Sequence, residues 1–298
     1  KIIYHVDCEK GEINNRISGC MVVNSTLQSF LTSIIRYIGK KEFQARKDWM
    51  NEINSLKNLF PEHKENPKIS GINPNNFMHK ISKFSKKASV IVSDVGQHQM
   101  WAAQSLELGK NQRFLTSGGM GSMGFGLPAS IGAAFTKSSS PIVLIAGDGG
   151  FQSNIQELQT VVHHNLPIKI VILNNRCHGM VRQFQEQNFD KRYQSTLWGY
   201  SAPNFEKIAL SYGIKAKTIK MESETEKALE WLWKQPKDPQ LLQVMIDTFT
   251  NAYPKMAFGM PNYKMEPFQN LDASSVHGVS QKSSKSVTSR RKIIHGKA

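Results

Sequence analysis

The sequence predicts an α/β fold: a doubly wound parallel sheet, preceded by the end of a second α/β domain. Three observations carry this. Residues 141–146 and 168–173 are short, continuous apolar runs of the kind buried on both faces of a parallel sheet. Between them Ile155, Leu158, Val161 and Val162 fall at helical spacing over 151–164, so the unit is a right-handed strand–helix–strand crossover. Buried runs and helical periods then alternate across 77–247, as one doubly wound domain requires. Finally, the runs end in polar or glycine-rich clusters, which places those clusters on the sheet edge where open α/β sheets bind ligands.

Composition narrows the class. The chain has 298 residues, 39% hydrophobic and 20% charged, as in ordinary globular proteins. No apolar run approaches the roughly 20 residues of a membrane span, and the opening residues lack a signal-peptide pattern. Lys1 stands inside what reads as a strand, so further residues are expected ahead of it. Cys8, Cys20 and Cys177 show neither CxxC pairing nor zinc spacing and read as reduced thiols of a cytoplasmic protein. The net charge of +15 invites a nucleic-acid reading. Its lysines are scattered and no aromatic-basic module accompanies them, so nucleic acid is not an expected partner.

The elements follow in order. Residues 1–38 carry a strand at the start, Met21-Val-Val-Asn, and a helix from about 25 to 38, too little to hold a core alone. Residues 39–75 are polar and Lys-rich, with Trp49, Ile53, Leu56 and Phe60 at helical spacing before Pro61, Pro67 and Pro74, and read as a linker. Asn73-Pro74-Asn75 is a helix start signal. The main domain, 76–255, opens with a helix stripe of Phe77, Ile81 and Phe84. A buried strand at 89–93 follows, running into Asp94-Val-Gly-Gln-His-Gln-Met-Trp101. A glycine-rich run at 118–126 leads into a helix at 128–135 with a small-residue face. After the 141–175 unit, segment 188–203 is expected to fold over the site as a loop. Phe205, Ile208, Ala209 and Tyr212 form a helix closed by Gly213. A strand at 214–219, a helix at 224–233 and a last buried strand at 240–247 complete the domain. Residues 256–298 are an extension, expected to be disordered from about 270 by its Ser, Lys, Arg and His content.

The chemistry sits where two strands end. Gly147-Asp148-Gly149-Gly150 closes one buried run and Asn174-Asn175 the next, with 24 residues between Gly149 and Asn174. Neighbouring parallel strands bring Asp148 and Asn175 out side by side. A carboxylate and an amide carbonyl are hard oxygen ligands, suited to Mg²⁺ or Ca²⁺ and poor for zinc. The glycines and the following helix N-terminus offer N–H groups to an anion. A hard cation beside an anion-binding turn describes a diphosphate held through a metal.

On these motifs the sequence resembles the thiamine diphosphate (ThDP) enzymes, and over about 1–268 their acetolactate synthase branch, through 94–101, 116–128, 147–175 and 179–184. The resemblance implies Mg²⁺ bound by Asp148, the Asn175 side chain and the Cys177 main-chain carbonyl. It places Gln97, His98 and the Gly147, Gly149 and Gly150 turn on the diphosphate. Gly121, Ser122 and Met123 would meet the aminopyrimidine ring, Met123 wedging the cofactor into a bent shape. Gly179 and Met180 would contact the cofactor, Met123 and Met180 being the catalytic positions. Met180 and Phe184 would face substrate; the family carries Trp at the Phe184 position, so the acceptor stays open. Arg176, Arg182, Lys191 and Arg192 could meet an anion, but most are expected to be solvated. His5-Val-Asp-Cys-Glu loosely matches a strand that, in FAD-containing relatives, sets an acid near the flavin, which leaves FAD open at Asp7.

The implied activity is decarboxylation of pyruvate and transfer of the two-carbon unit to a second 2-keto acid, a step of branched-chain amino acid biosynthesis. An aldehyde or keto-sugar acceptor is the alternative, and an inactive truncated chain a third reading. The resemblance further implies a homodimer or tetramer and leaves a regulatory subunit open. The glutamate that activates the cofactor would come from a pyrimidine-binding domain of a neighbouring subunit, because no segment here matches that domain.

Overall fold

The computed structural model describes residues 2–59, 61–62, 69–136, 140–256, 259–260 and 265–266. The expectation of disorder from about 270, and the place of Phe60 on its helix stripe, lie outside the described residues. The chain divides into two units at 59/60. In the first, β1 (Tyr4–Asp7) pairs in parallel with β2 (Met21–Asn24). Asp7 closes β1 by accepting from the Glu9 N–H at 2.8 Å. Thr26 then caps α1 (Leu27–Ile38), its hydroxyl accepting from the Ser29 N–H, and α2 (Lys47–Leu59) follows.

The second unit takes in part of the stretch the sequence assigns to a linker. Ile72 is fully buried in its core, and Glu62 accepts from Ser105 and pairs with His79 at 2.6 Å. Apolar burial, not composition, sets this boundary. Asn73 caps α3 (Pro74–Phe84), accepting from the Asn75 and Asn76 N–H groups, with Pro74 in the first turn where a missing donor costs nothing.

Then come β3 (Val90–Ser93), α4 (Gln97–Ser105), β4 (Arg113–Thr116), α5 (Gly126–Thr136) and β5 (Ile142–Gly147). The run continues with α6 (Asp148–Gln152), a 3-10 turn at Ile155–Glu157, α7 (Leu158–His163), β6 (Ile168–Asn174) and α8 (Gly179–Asn188). It closes with α9 (Phe205–Ser211), β7 (Lys215–Ile219), α10 (Thr225–Trp233) and β8 (Gln240–Met245). A two-residue ladder pairs β9 (Lys255–Met256) with β10 (Met265–Glu266).

Six strands make one all-parallel sheet in the order β4-β3-β5-β6-β8-β7. From β3 the chain moves outward to β4 and then returns to the other side of β3 as β5. That reversal is a topological switch point, and the crevice it opens lies beyond the carboxyl ends of β3 and β5. Strand alternation divides the core between the two faces. Ile91, Val143, Ile145, Val171 and Leu173 pack with Phe77, Ile81, Trp101 and Leu229; Val92, Leu144, Ala146, Ile170 and Ile172 pack with Leu127, Phe151, Leu158 and Phe205. No helix among the described residues is long and apolar enough to cross a membrane.

One local expectation is corrected. The single helix expected over 151–164 is broken at Ser153-Asn154. Asn154 is spent elsewhere: its Nδ2 donates to the Gly124 carbonyl at 2.7 Å, tying this turn to the glycine-rich run. The edge strand β4 at 113–116 leads into that run.

Lys169 on β6 is fully buried, yet its ammonium is satisfied by the Gln235 and Asp238 carbonyls, both at 2.6 Å, and by Gln240 Oε1 at 2.8 Å. It pins the loop before β8 to the sheet. Lys169→Met removes the donor and strands three acceptors, so a loss of about 3 kcal/mol is expected, read as a lower urea midpoint. An unchanged midpoint would refute this role.

Candidate active site

A cleft of about 430 Å³, counting its open mouth, lies at the carboxyl edge of β3, β5 and β6. Each wall is built by a strand that stops and a helix that starts. At the end of β5 the backbone turns at Gly147 directly into α6, which leaves Asp148 2% exposed. Its Oδ2 is buried with no hydrogen-bond partner among the described residues. Burial pushes the carboxyl pKa up to about 6, against the pull of the Gly149 N–H and the Tyr200 hydroxyl.

One strand over, β6 ends in Asn174, whose amide is taken up by Gln243 at 3.3 Å and by the Arg176 N–H at 3.0 Å. Asn175 turns to the cleft. Its Nδ2 donates to Gln97 Oε1 at 3.0 Å, and its Oδ1 accepts from the Cys177 N–H at 3.3 Å. Cys177 is buried, its thiol reaching the Thr248 carbonyl, and burial pushes the thiol pKa up to about 11. That thiol is inert, which leaves the main chain as the group this residue can offer.

β3 ends at Ser93, and Gly96 then takes φ +154 before α4. A Cβ there would sit 2.9 Å from the His98 ring, so the turn needs glycine. His98 is buried among the cleft residues, and its Nε2 has no partner among the described residues. Burial holds its pKa well below the usual imidazole range, against the opposing charge of Asp94, so the ring is neutral at neutral pH. Asp148 Oδ2 and His98 Nε2 are thus two unfinished polar atoms of one cleft, and buried polar atoms are rarely left so.

The glycine-rich run is held by a residue whose role the sequence does not reveal. Asp94, 1% exposed, accepts from the Val95 N–H at 2.6 Å and the Gly124 N–H at 3.1 Å through Oδ1, and from the Gly126 N–H at 2.8 Å through Oδ2. This anchorage sets Met123 among the cleft residues, with its methyl beside Gly149.

Of the expected site residues, the cleft gathers Gln97, His98, Met123, Gly147, Asp148, Gly149, Gly150, Asn175, Cys177, Gly179 and Met180. Gly121 and Ser122 lie outside it, exposed on the same run, with the Ser122 N–H on Ser117 Oγ at 3.3 Å. Phe184 also lies outside. It sits one turn of α8 beyond Met180, half exposed, its ring 5.8 Å from Phe189.

Arg182, one of the four basic residues of which most are expected to be solvated, is fully buried. It holds Glu186, the Thr250 carbonyl and Asn251, and so docks α8 on the segment after β8. The loop after α8 returns Tyr200 to the cleft, where its hydroxyl accepts from Gln152 at 3.3 Å and its ring meets His178 at 4.4 Å. His178 itself lines the cleft. His178 is placed by its position between Cys177 and Gly179, whereas Tyr200 belongs to the loop expected over the site and only its contacts with Gln152 and His178 single it out.

Among the described residues no group of three or more His, Cys, Asp or Glu side chains converges to hold a metal. A cation here would have one anionic ligand, Asp148, supplemented by neutral oxygens, a donor set that suits a hard ion also carrying phosphate oxygens.

Residues 94–244 match the family model described as thiamine pyrophosphate enzyme, C-terminal TPP binding domain. The chain belongs to the thiamine pyrophosphate enzymes. Within them it resembles the C-terminal portion of acetolactate synthase large subunits. It is 35% identical over 268 residues to that of Porphyra purpurea, covering 88% of this chain and 44% of the relative. To the isozyme 2 large subunit of Escherichia coli it is 33% identical over 263 residues, covering 88% and 46%. The Lactococcus lactis large subunit gives 31% over 264 residues, covering 89% and 45%. The chain thus spans less than half the length of these relatives.

Proposed function

We propose that this chain forms the diphosphate-and-metal half of an acetolactate synthase-like active site. The observation that carries the reading is the unpartnered Asp148 Oδ2, set beside Asn175 at the ends of adjacent strands. Asp148, the Asn175 side chain and the Cys177 carbonyl would hold Mg²⁺. His98 and the turn at 147–150 would take the diphosphate, and Met123, beside Gly149, would pack on the organic part. When bound, thiamine diphosphate supplies the electron sink that decarboxylation of a 2-keto acid requires. The chain's own part is to bind and orient: Asp148 would hold, at a buried carboxylate, the cation that offsets the diphosphate charge, and the Met123 and Met180 side chains would keep water off the reacting end. Pyruvate is the donor and a second 2-keto acid the acceptor in this reading. FAD stays a proposal resting on Asp7 at the end of β1, as does assembly into a dimer or tetramer.

The glutamate that activates the cofactor is assigned to a pyrimidine-binding domain of a neighbouring subunit. With pyruvate, thiamine diphosphate and Mg²⁺, the isolated chain is therefore expected to consume no pyruvate above background; robust turnover would refute the division. One observation supports a second reading, an aldehyde or keto-sugar acceptor: His178 lines the cleft while Phe184 does not. Product analysis on the assembled enzyme separates the two. Acetolactate from pyruvate alone supports the first, and product only after an aldehyde or sugar is added supports the second.

A further inference from the structure

Gln97 lies 3% exposed in the cleft wall, and its amide is almost wholly engaged within the protein. Oε1 accepts from Asn175 Nδ2 at 3.0 Å. Nε2 uses both hydrogens, one to Gln183 Oε1 at 3.0 Å and one to the Thr250 carbonyl at 3.1 Å. A side-chain amide has only two donor hydrogens, so none is left for a phosphate oxygen. Gln183 in turn accepts from the Ala252 N–H at 2.9 Å and donates to the Ala252 carbonyl at 3.3 Å.

The polarity of this chain of amides is not arbitrary. A side-chain amide turned over exchanges oxygen for nitrogen at almost no cost in shape, and only its neighbours decide which end points where. Here the neighbours at the far end are backbone groups, which cannot exchange roles. The Ala252 N–H can only donate, so Gln183 must present Oε1 to it. The Thr250 carbonyl can only accept, so Gln97 must present Nε2 to it. Gln97 Oε1 then faces Asn175 and demands Nδ2, and the Cys177 N–H, donating to Asn175 Oδ1 at 3.3 Å, fixes the same polarity from the other side of the amide. Three linked amides thus carry the polarity of the 250–252 backbone to the residue assigned to the metal.

We propose that Gln97 is a positioning residue that orients the Asn175 amide oxygen toward the cation, and that it does not bind the diphosphate through its side chain. This rests on the reading of Asn175 as a metal ligand. Polar groups behind a ligand of this kind typically set metal affinity by about 10–100-fold.

The test uses the full chain and calorimetric titration with thiamine diphosphate, first across a Mg²⁺ series and then in EDTA. Gln97→Met keeps the side chain's length and removes its hydrogen bonds. It is expected to weaken apparent Mg²⁺ affinity about 10-fold while leaving metal-free cofactor binding within about 2-fold. Gln183→Met, one link further back, should show the same pattern more weakly. The pair Gln97→Met with Asn175→Ala should be no worse than Asn175→Ala alone, since one variant acts through the other.

A Gln97→Met chain that keeps its Mg²⁺ affinity, or loses metal-free binding to the same degree, would overturn the inference alone. So would additive losses in the pair. A wild-type chain whose cofactor binding ignores Mg²⁺ would overturn both the inference and the metal reading beneath it. Should Gln97→Met not fold, the Gln183→Met chain decides by the same criteria.

Discussion

Asp148→Asn is expected to make the metal-free chain more stable at pH 7 while removing Mg²⁺-dependent cofactor binding. The two effects have one origin. The carboxyl is buried and its pKa raised from 3.8 to about 6, so the folded chain holds this proton more tightly than the unfolded chain does. The group's contribution to stability is therefore greatest below about pH 4 and is lost as pH rises toward and past 6. Fully ionised, it costs about 3 kcal/mol. Asparagine has no charge to bury. After the penalty for an unpaired amide, a gain of about 1–2 kcal/mol at pH 7 is expected, shrinking as pH falls toward 4. Binding moves the other way. Losing the one anionic ligand of a buried cation costs about 3–5 kcal/mol, or roughly 100-fold or more in apparent Mg²⁺ affinity. Urea unfolding at pH 4 and pH 7, with a Mg²⁺ titration at saturating cofactor, reads both. A variant less stable than wild type at pH 7 would refute the cost of burying this charge, and one with unchanged Mg²⁺ affinity would remove Asp148 from the metal.

Asp94→Ala is expected to cause the larger loss of stability. The carboxylate is the shared acceptor of three N–H groups, those of Val95, Gly124 and Gly126, and it is 1% exposed. Each buried donor left without a partner costs about 1–3 kcal/mol. A loss of about 4 kcal/mol or more follows, a large share of the roughly 5–15 kcal/mol that holds a typical domain folded. Asp94→Asn should be little better, because its NH₂ group must face a backbone donor. The binding consequence is separate: with the glycine-rich run released, Met123 loses its place beside Gly149, and cofactor affinity should fall at temperatures where the sheet is still folded. Guanidinium midpoints followed by far-UV dichroism measure the first effect and calorimetry the second. A midpoint within error of wild type for Asp94→Ala would show that the run is held by something else.

Much of the fold was legible because sheet burial writes itself into short runs. Residues 142–147 and 168–174 are buried on both faces and contain almost nothing polar, so their ends, and hence Asp148 and Asn175, could be placed from spacing alone. Lys169 interrupts the second run without harm, because its ammonium finds three acceptors at the rim of the sheet. What stayed hidden depends on partners far along the chain. Asp94 reads like any acid after a strand; two of its three donors lie 30 and 32 residues on. Tyr200 has no local signature, and its place follows from Gln152 and His178. The break at Ser153-Asn154 was missed because apolar periodicity continues across it, while Asn154 is drawn off to Gly124. The resemblance sets Phe184 beside Met180 on the substrate, but a matching motif carries no information about where a cleft ends, and Phe184 lies beyond it.

The strand order has a consequence for timing. β8 enters the sheet between β6 and β7, both made earlier, so the second half of the sheet closes only when the last strand slides into a reserved slot. The backbone groups that polarise Gln183 and Gln97 follow directly after that strand. A chain that already carries Asp148 and Asn175 still lacks the backbone groups that orient the Gln183 and Gln97 amides, so this wall of the cleft is complete only when the segment after the last strand is in place.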